Sequence, residues 1–252
     1  MTGLDGLPAL DVHAHLAPDV TAGQIRALGH SHTFAVTRSL AEARQVPARP
    51  SDSITWGIGV HPGVPAAQAD YDEQDFADLL PRFAVVGEIG LDRRAGHLDR
   101  QRATLASVLL VCADQPVLLS IHSNGATSAV LDVLDRHPHP GLILHWWNDD
   151  GPELDRAVGS GACFSVNAAM KDAVLNRLPP DRVLTETDFP AARPGARRPG
   201  DTRAIEHRLG ALWKTDPEVT RHRVWVNLRR LATRAEALDR LPEALADALV
   251  AV

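Results

Sequence analysis

Eight short apolar runs, most of them followed by a stretch with helical spacing, limit the folds open to this chain more than any other feature. They cover residues 7–13, 33–37, 54–60, 83–89, 116–121, 141–144, 163–166 and 182–185. Strands buried on both faces read as continuous apolar runs rather than as alternating ones. Val117-Leu118-Leu119-Ser120-Ile121 and Gly141-Leu142-Ile143-Leu144 read that way. Strands that alternate with helical segments are the pattern of βα units in a parallel sheet. Helices are expected over 101–113, 123–134, 152–158 and 168–178, and after the eighth strand over 201–213, 217–231 and 235–250. Eight such units in 252 residues match a TIM-type (β/α)8 barrel, which needs about 250. An open, doubly wound sheet is the alternative. A single domain over 1–252 is expected, because no linker divides the chain.

Bulk properties narrow the function classes. The chain is 44% apolar and 23% charged, with a formal net charge of −6. That balance excludes a protein that coats duplex DNA through a global basic field. It does not exclude a nucleic-acid substrate held by local positive charge. No apolar run approaches the roughly 18 residues of a membrane span, and the N-terminus carries no signal-peptide pattern. Cys112 and Cys163 are expected as buried free thiols, which fits a reducing cytoplasm. Lys171 and Lys214 are the only lysines, so a site built on a modified lysine has almost nothing to choose from.

The active site of a parallel barrel lies at the C-terminal ends of its strands. Here those ends carry His13 and His15, His61, Glu88, His122, His145 and Asp188. His13 and His15 are two apart on one strand and so share a face. Imidazole and carboxylate together suit zinc, manganese, iron or nickel, and carboxylate adds tolerance for magnesium. Six ligands, with His13 and His15 sharing a strand, are too many for one catalytic ion with an open position. They suit two divalent ions sharing a bridging carboxylate. Each residue alone has a plainer explanation as a satisfied strand-end group or a helix cap. Together they would be buried charge converging on one rim, which metal neutralises. His30-Ser31-His32 and His137-Pro138-His139 are an internal control. Both precede a strand at the opposite rim and are expected to be surface or capping groups.

At these residues the chain resembles the TatD family of metal-dependent deoxyribonucleases, among the amidohydrolase-like barrels. The resemblance rests on Asp-Val-His-Ala-His (11–15), Gly-Val-His-Pro (59–62), Gly-Glu-Ile-Gly-Leu-Asp (87–92), Ser-Ile-His-Ser (120–123), Leu-His-Trp (144–146) and Glu-Thr-Asp-Phe-Pro (186–190). It implies a distorted, amidohydrolase-like barrel. It also implies a first ion on His13, His15, Glu88 and Asp188, and a second on Glu88, His122 and His145. The ions would be Mg²⁺, Mn²⁺ or Zn²⁺. Glu88 and Asp188 would be catalytic, and His61, Arg93, Trp146 and Trp147 would contact substrate. The implied reaction is phosphodiester hydrolysis in DNA, of a single-strand, 3′-5′ exonuclease type.

Segments 146–147, 164–166 and 182–188 are similar to the TatD-like subgroup of the Qat anti-phage system, which implies partner proteins in defence. The chain departs from the family pattern beside the metal residues. Asn124 stands where many members carry arginine, Arg93-Arg94 where an aromatic is common, and Trp146-Trp147-Asn148-Asp149 where Cys-Phe-Ser-Gly is common. Arg93, Arg94, Arg193, Arg197 and Arg198 are expected on rim loops as candidate phosphate clamps. Two rival functions stay open. One is a metal-dependent amidohydrolase acting on a small molecule. The other is a barrel subunit that acts only within a larger complex.

Overall fold

The computed structural model describes residues 6–48, 51–191 and 196–252. Its strands are β1 (Ala9–Ala14), β2 (Ser31–Val36), β3 (Ile54–Ile58), β4 (Val85–Gly90), β5 (Leu118–His122), β6 (Leu142–Leu144), β7 (Cys163–Val166) and β8 (Val183–Thr185). They form one sheet in sequence order, each strand parallel to the next. Each expected run overlaps one strand, with ends shifted by a few residues. The helices are α1 (Ala22–Ala27), α2 (Leu40–Gln45), α3 (Pro65–Ala69), α4 (Glu73–Leu79), α5 (Leu98–Cys112), α6 (Thr127–Arg136), α7 (Glu153–Gly159), α8 (Asp172–Leu175), α9 (Arg203–Trp213), α10 (Pro217–Arg234) and α11 (Glu243–Val250).

Among the described residues no backbone ladder pairs β8 with β1. The barrel closes just past the end of β8 instead. Asp188 N–H donates to His13 O at 2.9 Å, and His15 N–H donates to Phe189 O at 2.8 Å. The buried Asp11 carboxylate accepts from Thr187 N, Thr187 Oγ1 and Gly200 N at 2.7–2.8 Å. From outside, α10 packs against both edges of this seam. Its Asn227 amide donates to Val183 O and its Trp225 indole to Pro8 O, each at 2.9 Å. Buried carbonyls without a strand partner would be costly, and these side chains supply the missing donors.

Three expected helices differ from those observed. The 168–178 segment is helical only over α8, because Asn167 Oδ1 and O accept from Ala169 and Met170 N–H and turn the chain first. The 123–134 helix starts later, at Thr127, after a turn through Gly125 at φ 62°. The 235–250 helix is broken. α10 runs on to Arg234, Glu236 adopts φ 55°, and Pro242 precedes α11. Proline disfavours helical backbone in the residue before it and removes a donor, so the break falls there.

The control histidines divide. His30 is exposed. His32 lies inside β2 and is buried, with its ring nitrogens 3.1 Å from Asp52 O and 2.8 Å from Thr55 Oγ1. His139 is buried against Gln115 O and Gly141 N. These two are internal struts rather than surface groups, and both remain at the rim opposite the acidic and imidazole cluster.

Candidate metal centre

Two strands bend where the site is built. The β1–β2 register shifts between Asp11 and Ala14, and the β4–β5 register shifts between Val86 and Ile89. Such irregularities re-aim side chains, and these hold His13 and Glu88. The strands around Glu88 approach closely. A Cβ on Gly90, which adopts φ 137°, would lie 2.1 Å from His122 O. Only glycine allows that backbone at that distance.

The Glu88 carboxylate, 1% exposed, is the hub. Its Oε2 is 3.5 Å from His13 Nε2, 3.1 Å from His15 Nε2 and 3.0 Å from His61 Nε2. Its Oε1 is 2.5 Å from His122 Nδ1 and 3.7 Å from His145 Nε2. Asp188 Oδ1 stands 3.9 Å from His13 Nε2 and from His15 Nε2, and 4.0 Å from His145 Nε2. Asp188 itself adopts φ 44°, a backbone state uncommon for a side-chain-bearing residue and often found at functional sites. The structure therefore gathers all six residues expected to hold metal.

Further residues orient the imidazoles. Ser120 Oγ meets His13 Nδ1 at 2.8 Å, Glu186 Oε2 meets His145 Nδ1 at 2.7 Å, and Asp92 Oδ2 meets His122 Nε2 at 3.1 Å. Each leaves the ring's other nitrogen facing Glu88, the arrangement that fixes the tautomer of a metal-ligating histidine. Ser165 and Asn167 in turn donate to Glu186. Sequence reasoning quoted Asp92 and Glu186 inside motifs without giving them this role. The signal that could have found them was a second carboxylate close to each strand-end ligand.

The electrostatics follow from burial opposed by close charges. Burial pushes Glu88 up, but His61, His122 and His13 hold it well below the usual carboxylate range. Burial depresses His145, yet the Glu186 carboxylate lifts it to about 10, and Glu88 with Asp92 lifts His122 to about 9. His13 is lowered to about 3 by burial and by the charge on His145. Burial raises Asp188 to about 6.

The donor set fits divalent cations. His13 Nε2 and Glu88 Oε2 are buried without a hydrogen-bond partner, although imidazole nitrogens crowd Oε2. Lone pairs aimed at a common point rather than at hydrogens are what an ion would satisfy. Among the described residues, three groups bring ligand atoms close enough to share one ion: His13, His15 and Glu88; His13, His145 and Glu186; and His61, Glu88 and His122. The third is the weakest. His61 Nδ1 accepts from Gly63 N–H at 2.8 Å, so the neutral ring carries its hydrogen on Nε2.

A cavity of about 750 Å³ opens over the cluster. It is lined by His15, His61, Glu88, His122, His145 and Asp188, and by Arg94, Asn124, Trp146, Asp149 and Asp150. Two expected substrate contacts need correction. Trp147 is fully buried, its indole N–H donating to Asp149 O at 2.6 Å and its ring edge on Phe164. It packs the core while Trp146 faces the cavity. Arg93 turns away, its Nε donating to Gly125 O at 2.6 Å, and the neighbouring Arg94 lines the cavity in its place. Arg198 is held by Ala27 O, and Arg197 borders a separate cavity with Arg203 and His207. Arg193 lies outside the described residues.

Comparison with known proteins agrees with this construction. Residues 10–233 match the model of the TatD related DNase family. The chain belongs to that family. Curated TatD proteins named 3′-5′ ssDNA/RNA exonucleases are similar to it. One from Dickeya dadantii is 28% identical over 54% of this chain and 57% of its own length. One from Yersinia pseudotuberculosis is 26% identical over 69% of this chain and 75% of its own length. The chain thus spans just under three fifths of the Dickeya relative. Among solved structures, the TatD homologue from Escherichia coli K12 superposes with a TM-score of 0.73 at 20% identity, covering 88% of this chain and 96% of the homologue. A Listeria monocytogenes lactonase shares the TatD-like barrel with a TM-score of 0.56 at 12% identity, over 91% of this chain and 95% of its own.

Proposed function

We propose that this chain is a metal-dependent phosphodiesterase that trims single-stranded nucleic acid, DNA foremost, in the 3′-5′ direction. The observation that carries this reading is Glu88, a buried carboxylate faced by five imidazoles and left with an unpartnered oxygen. Support for the substrate class comes from the family and from the names of its curated relatives. His13, His15, Glu88 and Asp188 would hold one divalent ion, and Glu88, His122 and His145 a second, with Glu88 shared. Bound there, Mg²⁺, Mn²⁺ or Zn²⁺ would supply Lewis-acid stabilisation of phosphoryl charge and a lowered pKa for water.

The chain's own groups do the rest. Asp188, its Oδ1 facing His13, His15 and His145 at the cavity, is placed to take the proton of the attacking water on a carboxylate oxygen. His61 borders the cavity with its Nε2 beside Glu88 and would contact substrate there. Trp146 stands edge-on to His145 with centroids 6.4 Å apart and offers a face for a base. Cys112 and Cys163 are free and buried, which suits a reducing cytoplasm. The Qat-like segments support a setting in anti-phage defence, alongside protein partners.

The test is cleavage of end-labelled single-stranded oligonucleotides with EDTA, Mg²⁺ or Mn²⁺, by wild type, Glu88→Gln and Asp188→Asn. Metal-dependent shortening from the 3′ end, lost in both variants, is expected. Asp149 and Asp150 on the cavity lip favour a second reading, hydrolysis of a small uncharged ester or amide. Turnover of a lactone by protein that leaves oligonucleotides intact would select it.

A further inference from the structure

The mouth of the cavity carries opposite charge on its two sides. On the side formed by the loops after β4 and β5, Arg94 is the one arginine or lysine among the described lining residues. On the side after β6 stand Asp149 and Asp150. Arg94 is exposed and makes no ion pair among the described residues. An unpaired guanidinium at the mouth of a site keeps its donors for a ligand.

The turn that presents it is fixed. Asp92 Oδ1 accepts from Arg94 N at 2.7 Å, and Asp92 Oδ2 accepts from Asn124 Nδ2 at 3.2 Å and faces His122 Nε2 at 3.1 Å. The Asp92 backbone is clamped by Gln101 at 2.7 and 3.0 Å. One carboxylate therefore sets both the imidazole that faces Glu88 and the turn that bears the guanidinium.

We propose that Arg94 is an anion subsite for a phosphate flanking the scissile one. The nucleotide chain then enters over the β4–β5 side, and the acidic lip after β6 repels phosphate and faces the base. This rests on the nucleic-acid reading above and adds the side from which the strand approaches. A guanidinium–phosphate contact is strong and specific in geometry. It acts on binding rather than on the bond that breaks.

The test compares wild type, Arg94→Gln and the surface control Arg102→Gln, all loaded with Mn²⁺. Arg94→Gln should raise KM for a single-stranded oligonucleotide roughly tenfold, the size expected for one charge-assisted contact, with little change in kcat. Its plot of log affinity against log salt should be shallower by about 0.7, one phosphate contact on a single strand. The loss on bis(4-nitrophenyl) phosphate, which has no flanking phosphate, should be much smaller than the loss on the oligonucleotide. An unchanged salt slope, or an equal loss on both substrates, overturns the subsite. Binding of labelled oligonucleotide by anisotropy separates the two readings. Wild-type binding without turnover, weakened in Arg94→Gln, removes the nuclease reading and keeps the subsite. No wild-type binding removes both.

Discussion

At the scale of single residues, the two rims of the barrel use histidine in opposite ways. Over the rim that carries Glu88, burial lowers His13, while nearby carboxylates lift His15, His122 and His145 against burial. His32, at the far rim, is lowered to about 4 by burial, which outweighs the carbonyl and charge of Asp52 beside it. The unfolded chain takes up a proton at His32 near pH 6.5, while the folded protein resists until about 4. Stability contributed by neutral His32 is therefore full above pH 6.5 and is lost as pH falls through that window. The linkage amounts to about 3 kcal/mol at its limit. Urea unfolding at pH 7 and pH 4.5 should show a shallower loss in His32→Gln than in wild type. An identical pH slope would mean that His32 is not held neutral.

The ligand positions were legible for a simple reason. In a parallel barrel, strand ends are addresses, so His13, His15, Glu88, His122, His145 and Asp188 could be placed on one rim from the order of the runs alone. Trp147 and Arg93 were not legible. Adjacent residues on a tight loop point opposite ways, and nothing in Trp146-Trp147 or Arg93-Arg94 says which one faces the cavity. The φ of 41° at Trp146 decides the first pair, and the Gly125 carbonyl decides the second.

At the scale of elements, the site depends on β4 lying unusually close to β5. Leu91 N–H donates to His122 O at 2.9 Å just past Gly90, so the Glu88 strand and the His122 strand are locked in register at their tips. Gly90→Ala would set a methyl against that carbonyl and force a left-handed conformation on alanine. We expect a stability loss of about 2 kcal/mol or more from this steric conflict. The variant should unfold at lower urea and lose metal affinity together. Retention of both would show that the strands can separate without disturbing the cluster. The helices were less legible than the strands. Buried strands announce themselves by composition, whereas α6, α8 and α11 begin where a turn residue or a proline stops something else.

At the scale of the whole molecule, the β8–β1 seam is closed by two backbone hydrogen bonds past β8, by the Asp11 carboxylate and by α10. Trp225 is 1% exposed and ties α10 to the chain before β1. Trp225→Ala removes both the packing and the donor to Pro8 O. A loss of about 3–5 kcal/mol is expected for a buried tryptophan, read as a lower urea midpoint. Because Asp11, His13, Thr187 and Asp188 share that seam, metal affinity should fall with it. A destabilised variant with full metal affinity would separate the seam from the site. The expected distortion of the barrel did not say where it would fall, because the short β8 run looks like any other buried strand until its partners past Thr185 are known.

The account stands or falls on whether the cluster around Glu88 binds cations. The direct measurement is metal content after dialysis, with proton release followed during Mn²⁺ titration of metal-free protein. Two ions per chain are expected in wild type, with fewer in Glu88→Gln. With His122 at about 9 and His145 at about 10 in the metal-free protein, and His15 also raised by Glu88, binding at pH 7 should release at least two protons, since ligating imidazoles must be neutral. Release should fade above pH 10, and affinity should rise from pH 6 to 9. Wild-type protein that holds no divalent ion at pH 8, or binds equally well as Glu88→Gln, would contradict the account.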